Sequence, residues 1–156
     1  MSCRYSLDKD DPGGDDGEQA CAINTNSATC VEAEAGQHAD LEFIEKSIFM
    51  PGCAFTSCHN GGNTAAGKID LRPGQSHAHL VNFTSAIDPT RKLVVPNDVN
   101  ASYLMLMLRD FPPQEASPPG QDPPERAGYM PMGNATLCCQ KLDAIERWIL
   151  AGAPTN

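Results

Sequence analysis

Aromatic residues are scarce in this chain of 156 residues, at 6% with a single tryptophan. A core built from such a composition is thin, and small domains of this kind are usually completed by disulfides, a metal or a cofactor. Basic residues are few as well. Lys and Arg number 11 against 20 Asp and Glu, a formal net charge of -9, which excludes nucleic acid and anionic lipid as electrostatic partners. No apolar run is long enough to cross a bilayer. Met1-Ser2-Cys3 does not open the basic-then-apolar pattern of a signal peptide. On an extracytoplasmic reading the sequence is therefore a processed or recombinant form. Cys3 would then either carry lipid, as in bacterial lipoproteins, or serve as an ordinary disulfide partner or thiol.

What the chain does have is 7 cysteines, 13 glycines and 13 prolines. In a reducing cytosol that many cysteines would suggest metal binding; outside it, disulfides and covalent attachments are expected. Residues 1–38 are rich in Asp, Gly, Ser, Asn and Thr and offer little apolar surface to offset ordering entropy, so they read as a flexible acidic tether. Its cluster Asp8, Asp10, Asp11, Asp15, Asp16 fails as a calcium loop, because Pro12 stands where an oxygen ligand is needed. Cys21 and Cys30 could close a small loop within it.

A domain spanning 39–156 follows. Leu41, Ile44, Ile48 and Phe49 recur at helical spacing behind Asp40 as a cap, and Pro51-Gly52 should end that helix. Ser76 to Phe83 is a short helical candidate. Tyr103-Leu104-Met105-Leu106-Met107-Leu108 fits buried strand or buried helix; Leu and Met favour helix, with capping chemistry in Asn100-Ala101-Ser102. Residues 111–128 hold Pro-Pro pairs at 112, 118 and 123, which excludes helix and central strand and predicts an extended loop. Residues 137–150 place Leu137, Leu142, Ile145, Trp148 and Ile149 on an amphipathic helix. The fold class is thus all-α with long loops.

The chemistry concentrates in Cys53-Ala54-Phe55-Thr56-Ser57-Cys58-His59. Covalent haem c needs two thiols to add to its vinyl groups and a histidine directly after the second to ligate the iron; the usual spacing is two residues, and here it is four. The competing readings are a Cys53–Cys58 disulfide and a zinc site, the latter lacking a second Cys/His pair downstream. Cys138-Cys139 are adjacent, so each should pair elsewhere, with Cys21 or Cys30; three full pairings among the four remain open.

The surrounding segments resemble the small monohaem cytochrome c domains of myxobacterial and planctomycete-type secreted proteins. After the attachment motif come Gly67-Lys68-Ile69-Asp70-Leu71, Val94-Val95-Pro96-Asn97-Asp98, Ser102-Tyr103-Leu104, Met130-Pro131 and Trp148-Ile149-Leu150-Ala151-Gly152-Ala153, in the family's order over roughly residues 43–153. Asn97 replaces a glycine, and the proline-rich stretch and the four-residue spacing are further departures. The resemblance implies a class I-like cytochrome c fold with packed terminal helices around one covalent haem c. It implies Cys53 and Cys58 as attachment points, His59 as first axial ligand and Met130 as the second, with Met132 its nearest rival. His77 and His79 are weaker alternatives and His38 weaker still; Met105 and Met107 read as core. Gly61 and Gly62 could admit backbone close to a porphyrin, and Arg91 and Lys92 could neutralise propionates.

The expected function is single-electron transfer between redox-protein partners in the periplasm or at the cell surface of a Gram-negative bacterium, without catalysis. Membrane attachment would come only through lipid on Cys3. Two competitors stand beside it. One is a haem domain with an open or labile sixth position, acting as sensor or peroxidase. The other is a haem-free, disulfide-tied interaction domain of a lipoprotein.

Overall fold

A computed structural model of the chain describes residues 21–55, 57–125, 127–132 and 134–156. Cys3 and the Asp8–Asp16 cluster lie outside the described residues. Among those described the architecture is helical, with isolated β-bridges in place of a sheet. The helices are α1 (Ala28–Ala35), α2 (Leu41–Ile44), α3 (Met50–Gly52), α4 (Ser76–Leu80), α5 (Tyr103–Met107) and α6 (Cys139–Leu150), with single 3-10 turns at Ala66–Lys68 and Pro113–Glu115.

Asp40 caps α2 as its position predicts, its Oδ1 accepting the Phe43 N–H at 2.8 Å. The helix ends at Gly52, as Pro51-Gly52 predicts, with Pro51 inside its last turn. A π-helical turn over Glu45–Phe49 carries it into α3, and the N–H groups of Cys53 and Ala54 both reach the Phe49 carbonyl, at 2.7 and 2.9 Å. A proline inside an α-helix removes one bond and crowds the carbonyl four residues back. The wider π turn comes directly before the proline and lets the helix run through it to Cys53.

Residues 21–38 correct the tether expectation. From Cys21 onward the chain is folded, and α1 lies along α6. Two disulfides join the regions, Cys21–Cys139 and Cys30–Cys138, so neither Cys21 nor Cys30 closes a local loop. The Asn24 backbone and the buried Gln140 side chain exchange two 3.1 Å hydrogen bonds. Arg147 donates to the carbonyls of Ala33 at 2.8 Å and His38 at 2.9 Å, satisfying an acceptor that the end of α1 would otherwise leave open. The helix along which α6 chiefly lies is therefore one that the apolar pattern does not announce.

The core gathers Ile44, Ile48 and Phe49 with Leu80, Val94, Met105, Leu106 and the α6 face Leu142, Ile145, Trp148, Ile149. Trp148 is fully buried and donates through Nε1 to the Pro154 carbonyl at 2.8 Å, drawing the tail back onto the core. Ser102 begins α5, but its hydroxyl serves the preceding turn instead, donating to Asp98 O at 2.6 Å and accepting from Val95 N–H at 2.9 Å. In that turn Asn97 has φ +67°. The left-handed region favours glycine, and asparagine tolerates it better than most residues, which accounts for asparagine at a position where the resembled pattern has glycine.

Among its described residues the proline-rich stretch is irregular apart from one 3-10 turn, and it is fastened down. Ser117 N–H reaches Asn100 O at 2.9 Å, Asn100 Nδ2 reaches Glu115 O at 2.7 Å, and Arg91 Nη2 reaches Pro118 O at 2.5 Å.

Candidate functional site

At the end of α3 the chain turns through Cys53 and closes a tight loop, in which His59 N–H donates to Cys53 O at 3.1 Å and Cys58 N–H to Phe55 O at 2.9 Å. Thr56, within this loop, is outside the described residues. The chain then returns beside His59. Leu71 N–H donates to His59 O at 2.9 Å, and Asn60 bridges Asp70. The Ile69-Asp70-Leu71 segment works through Asp70, which accepts from the Arg72 N–H, Nε and Nη2 between 2.7 and 3.0 Å. Those bonds hold its carboxyl below the usual carboxylate range. Gly67 lies against Gly62 so closely that a Cβ would stand 2.4 Å from the Gly62 carbonyl oxygen. The glycines here admit backbone against backbone, and neither Gly61 nor Gly62 lines the cavity.

Beside this loop opens a cavity of about 180 Å³, its mouth continuous with solvent. Cys53, Cys58 and His59 line it, as do Met130, Pro131 and Met132. Phe49, Leu71, Leu104, Leu108 and Leu137 supply apolar walls. Leu104 and Leu108 come from one face of α5 and its end, the i,i+4 spacing that puts two side chains over the same surface.

His59 is held in one state. Its Nδ1 donates to the Ala66 carbonyl at 2.9 Å. A carbonyl only accepts, so the proton sits on Nδ1 and the lone pair on Nε2, the arrangement that orients a metal-binding imidazole. Burial lowers its pKa, against the pull of the Ala66 and Ile69 carbonyls, and keeps it neutral. Cys53 and Cys58 are both free thiols, whereas the other four described cysteines are all bridged. Burial, and then the neighbouring Cys58, push the Cys53 thiol up to about 11, while Lys141 pulls the other way. It is a thiol at neutral pH and not the thiolate that metal ligation or disulfide exchange requires.

Met130 sits partly buried against the core, and its N–H donates to the carbonyl of Met107, the last residue of α5, at 2.8 Å. Met132 is 58% exposed at the cavity mouth. The other sequence candidates are elsewhere. His77 Nε2 bonds Ala153 O and His79 Nδ1 bonds Lys68 O; His38 bridges Asp40 and Glu32. Arg91 is buried against Asp88, Pro118 and the Tyr103 ring, and Lys92 donates to Asn82 O, so neither reaches the cavity. Sequence reasoning missed Lys141, whose charge acts on the Cys53 thiol, and Asn134, which lines the cavity; no pattern in the chain marks either. Among the described residues no three His, Cys, Asp or Glu side chains gather as a metal cage.

No protein-family model, curated protein or solved structure matches this chain.

Proposed function

We propose that this chain is a monohaem c-type cytochrome of class I-like fold that carries single electrons between redox proteins outside the cytoplasm. The observation carrying the reading is one apolar cavity that holds the only two unbridged described cysteines, an adjacent histidine with its free lone pair on Nε2, and two thioethers. That donor set fits haem c. Cys53 and Cys58 would hold it through thioethers, and His59 and Met130 would supply an imidazole nitrogen and a thioether sulfur to its iron. When bound, haem supplies a one-electron iron couple, and the chain's own residues tune it.

His59 is kept neutral and oriented through Ala66, ready to donate its lone pair without first losing a proton. Met130 is the softer partner: a thioether favours ferrous over ferric iron and raises the potential relative to two imidazoles. Its backbone bond to Met107 recommends it over the more exposed Met132. Phe49, Leu71, Leu104, Leu108 and Leu137 present apolar side chains to that cavity and would limit the water in contact with a haem seated there. Two disulfides suit an oxidising compartment. No described helix is long and apolar enough to cross a membrane. Attachment to one would rest on Cys3.

The test is intact mass and a reduced-minus-oxidised spectrum of protein made with a cytochrome c maturation system. A gain of one haem, low-spin bands and a near-infrared iron–sulfur band in the ferric form are expected, the last lost in Met130→Ala and kept in Met132→Ala. A high-spin loaded protein would point to a sensor or peroxidase. No haem despite competent maturation would overturn the reading.

A further inference from the structure

The segment carrying Met130 is fastened at a second point that no haem chemistry demands. Tyr129, the residue before it, lies under the Arg109 guanidinium, whose Cζ is 4.8 Å from the ring centroid. The Tyr129 hydroxyl donates to Asp122 Oδ1, so the ring is engaged from its face and its edge. Arg109 stands just beyond α5 with φ +62°, a conformation costly for any side chain larger than hydrogen. The same turn carries Leu108, part of the cavity wall, and follows Met107, whose carbonyl takes the Met130 N–H. Asp122 belongs to the proline-rich stretch, which is pinned farther back at Ser117 and Pro118.

We propose that Arg109, Tyr129 and Asp122 form a latch, with Tyr129 as the positioning residue that holds Met130 to the cavity and sets how readily an outside ligand displaces it. The inference rests on the Met130 ligation proposed above. It gives the proline-rich stretch a task, which is to supply Asp122 as the far anchor. A guanidinium over an aromatic ring and a hydrogen bond to a carboxylate are each modest contacts, but they act on one residue adjoining the ligand. The competition is one of populations: the smaller the fraction of protein with Met130 engaged, the higher the apparent affinity for a rival ligand.

The test uses the haem-loaded full chain and three variants, Tyr129→Ala, Arg109→Gly and Met130→Ala. Arg109→Gly removes the guanidinium while placing glycine at a positive φ, so the fold should hold even where Tyr129→Ala proves damaging. Two readouts are taken. Hydrogen exchange at the Met130 amide should quicken about tenfold in Arg109→Gly while exchange in α6 is unchanged, reporting the latch without reference to iron. Affinity for added imidazole should rise about fivefold to tenfold, the ratio expected for losing one contact of this strength. Unchanged exchange at Met130 overturns the latch. Quickened exchange with unchanged imidazole affinity, when Met130→Ala binds imidazole strongly, overturns its control of the ligand. If Met130→Ala itself matches the parent chain in imidazole binding, the ligand assignment fails and the latch's role fails with it.

Discussion

Where α1 lies along α6 the molecule is closed by two disulfides, by the Asn24–Gln140 amide exchange and by Arg147 reaching two carbonyls of the α1 side. Where Cys53, Cys58 and His59 line the cavity with Met130, Pro131 and Met132, the two cysteines are unbridged and the walls are apolar side chains around open space. One region makes the fold persist and the other leaves room. The contrast teaches that the described cysteines divide their labour by position: four staple the α1 side to the start of α6, and two stand unbridged beside a histidine. Burial of Cys53 favours that division, because a thiol pushed up to about 11 resists the thiolate chemistry that would bridge it.

Removing both staples should have the largest effect. The bridges close sequence separations of 118 and 108 residues, and each native disulfide in a small domain contributes about 2–5 kcal/mol. Denaturant unfolding of Cys138→Ser/Cys139→Ser, or of the parent chain with reductant, should show a loss of about 4 kcal/mol or more. A loss under 1 kcal/mol would mean that packing alone holds α1 to α6.

Glu45 comes next. It is buried in the π turn, and its carboxylate accepts the Ser76 hydroxyl at 2.5 Å and the Gly74 N–H at 3.0 Å. Glu45→Ala leaves the buried Ser76 hydroxyl without its acceptor and should cost about 1–3 kcal/mol in the same assay.

His38 offers a smaller, pH-dependent effect on the stapled side. Its hydrogen bond to Asp40 at 2.8 Å, with help from Glu32, raises its pKa above 6.5, and the ring stacks on Phe43 at 3.8 Å. Burial alone would lift Asp40, but the bonds from His38 and Phe43 outweigh it and bring the carboxyl below 3.8. The histidine stabilises fully below pH 6.5, and that part is lost as pH rises through its raised value. The aspartate stabilises fully above pH 3.8, and its part is lost as pH falls through its lowered value. The pair therefore contributes most between those limits. His38→Gln should flatten the dependence of the unfolding midpoint from pH 6 to 8, where the parent chain declines.

The smallest stability effect belongs to the cavity. Cys58→Ser should shift unfolding of the haem-free chain by no more than about 0.5 kcal/mol, as for a partly exposed substitution that breaks no bridge. The same change should abolish one covalent attachment in matured protein, read by denaturing mass spectrometry. A large loss of stability in the haem-free chain would erase the contrast between the two regions.

Much of the fold is legible in the residues. The apolar spacing of Leu41, Ile44 and Ile48 and of Leu142, Ile145, Trp148 and Ile149 marks helices that form close to where they are expected. The π turn is not, because an apolar pattern reads the same on a helix that widens to pass Pro51. Nor is α1: Cys30 and Ala33 are its buried residues, too few to make a stripe, and its stability comes from α6 and the bridges. The cluster Cys53, Cys58, His59 is local and visible in the chain, as is Met130 as a candidate; that they share one cavity is not local.

Composition and short-range spacing sufficed for a helical architecture with little strand, the capped start of α2, the cysteine–histidine cluster and the presence of disulfides beside a core poor in aromatics. Local propensities and attachment spacing act over a few residues, so a single strand of sequence records them. The pairing of Cys21 with Cys139 and Cys30 with Cys138, the exclusion of Arg91 from the cavity, and the approach of Met130 to the end of α5 were set by packing. Those are contacts between segments far apart in the chain, and which of several chemically equivalent partners meet depends on how the helices dock.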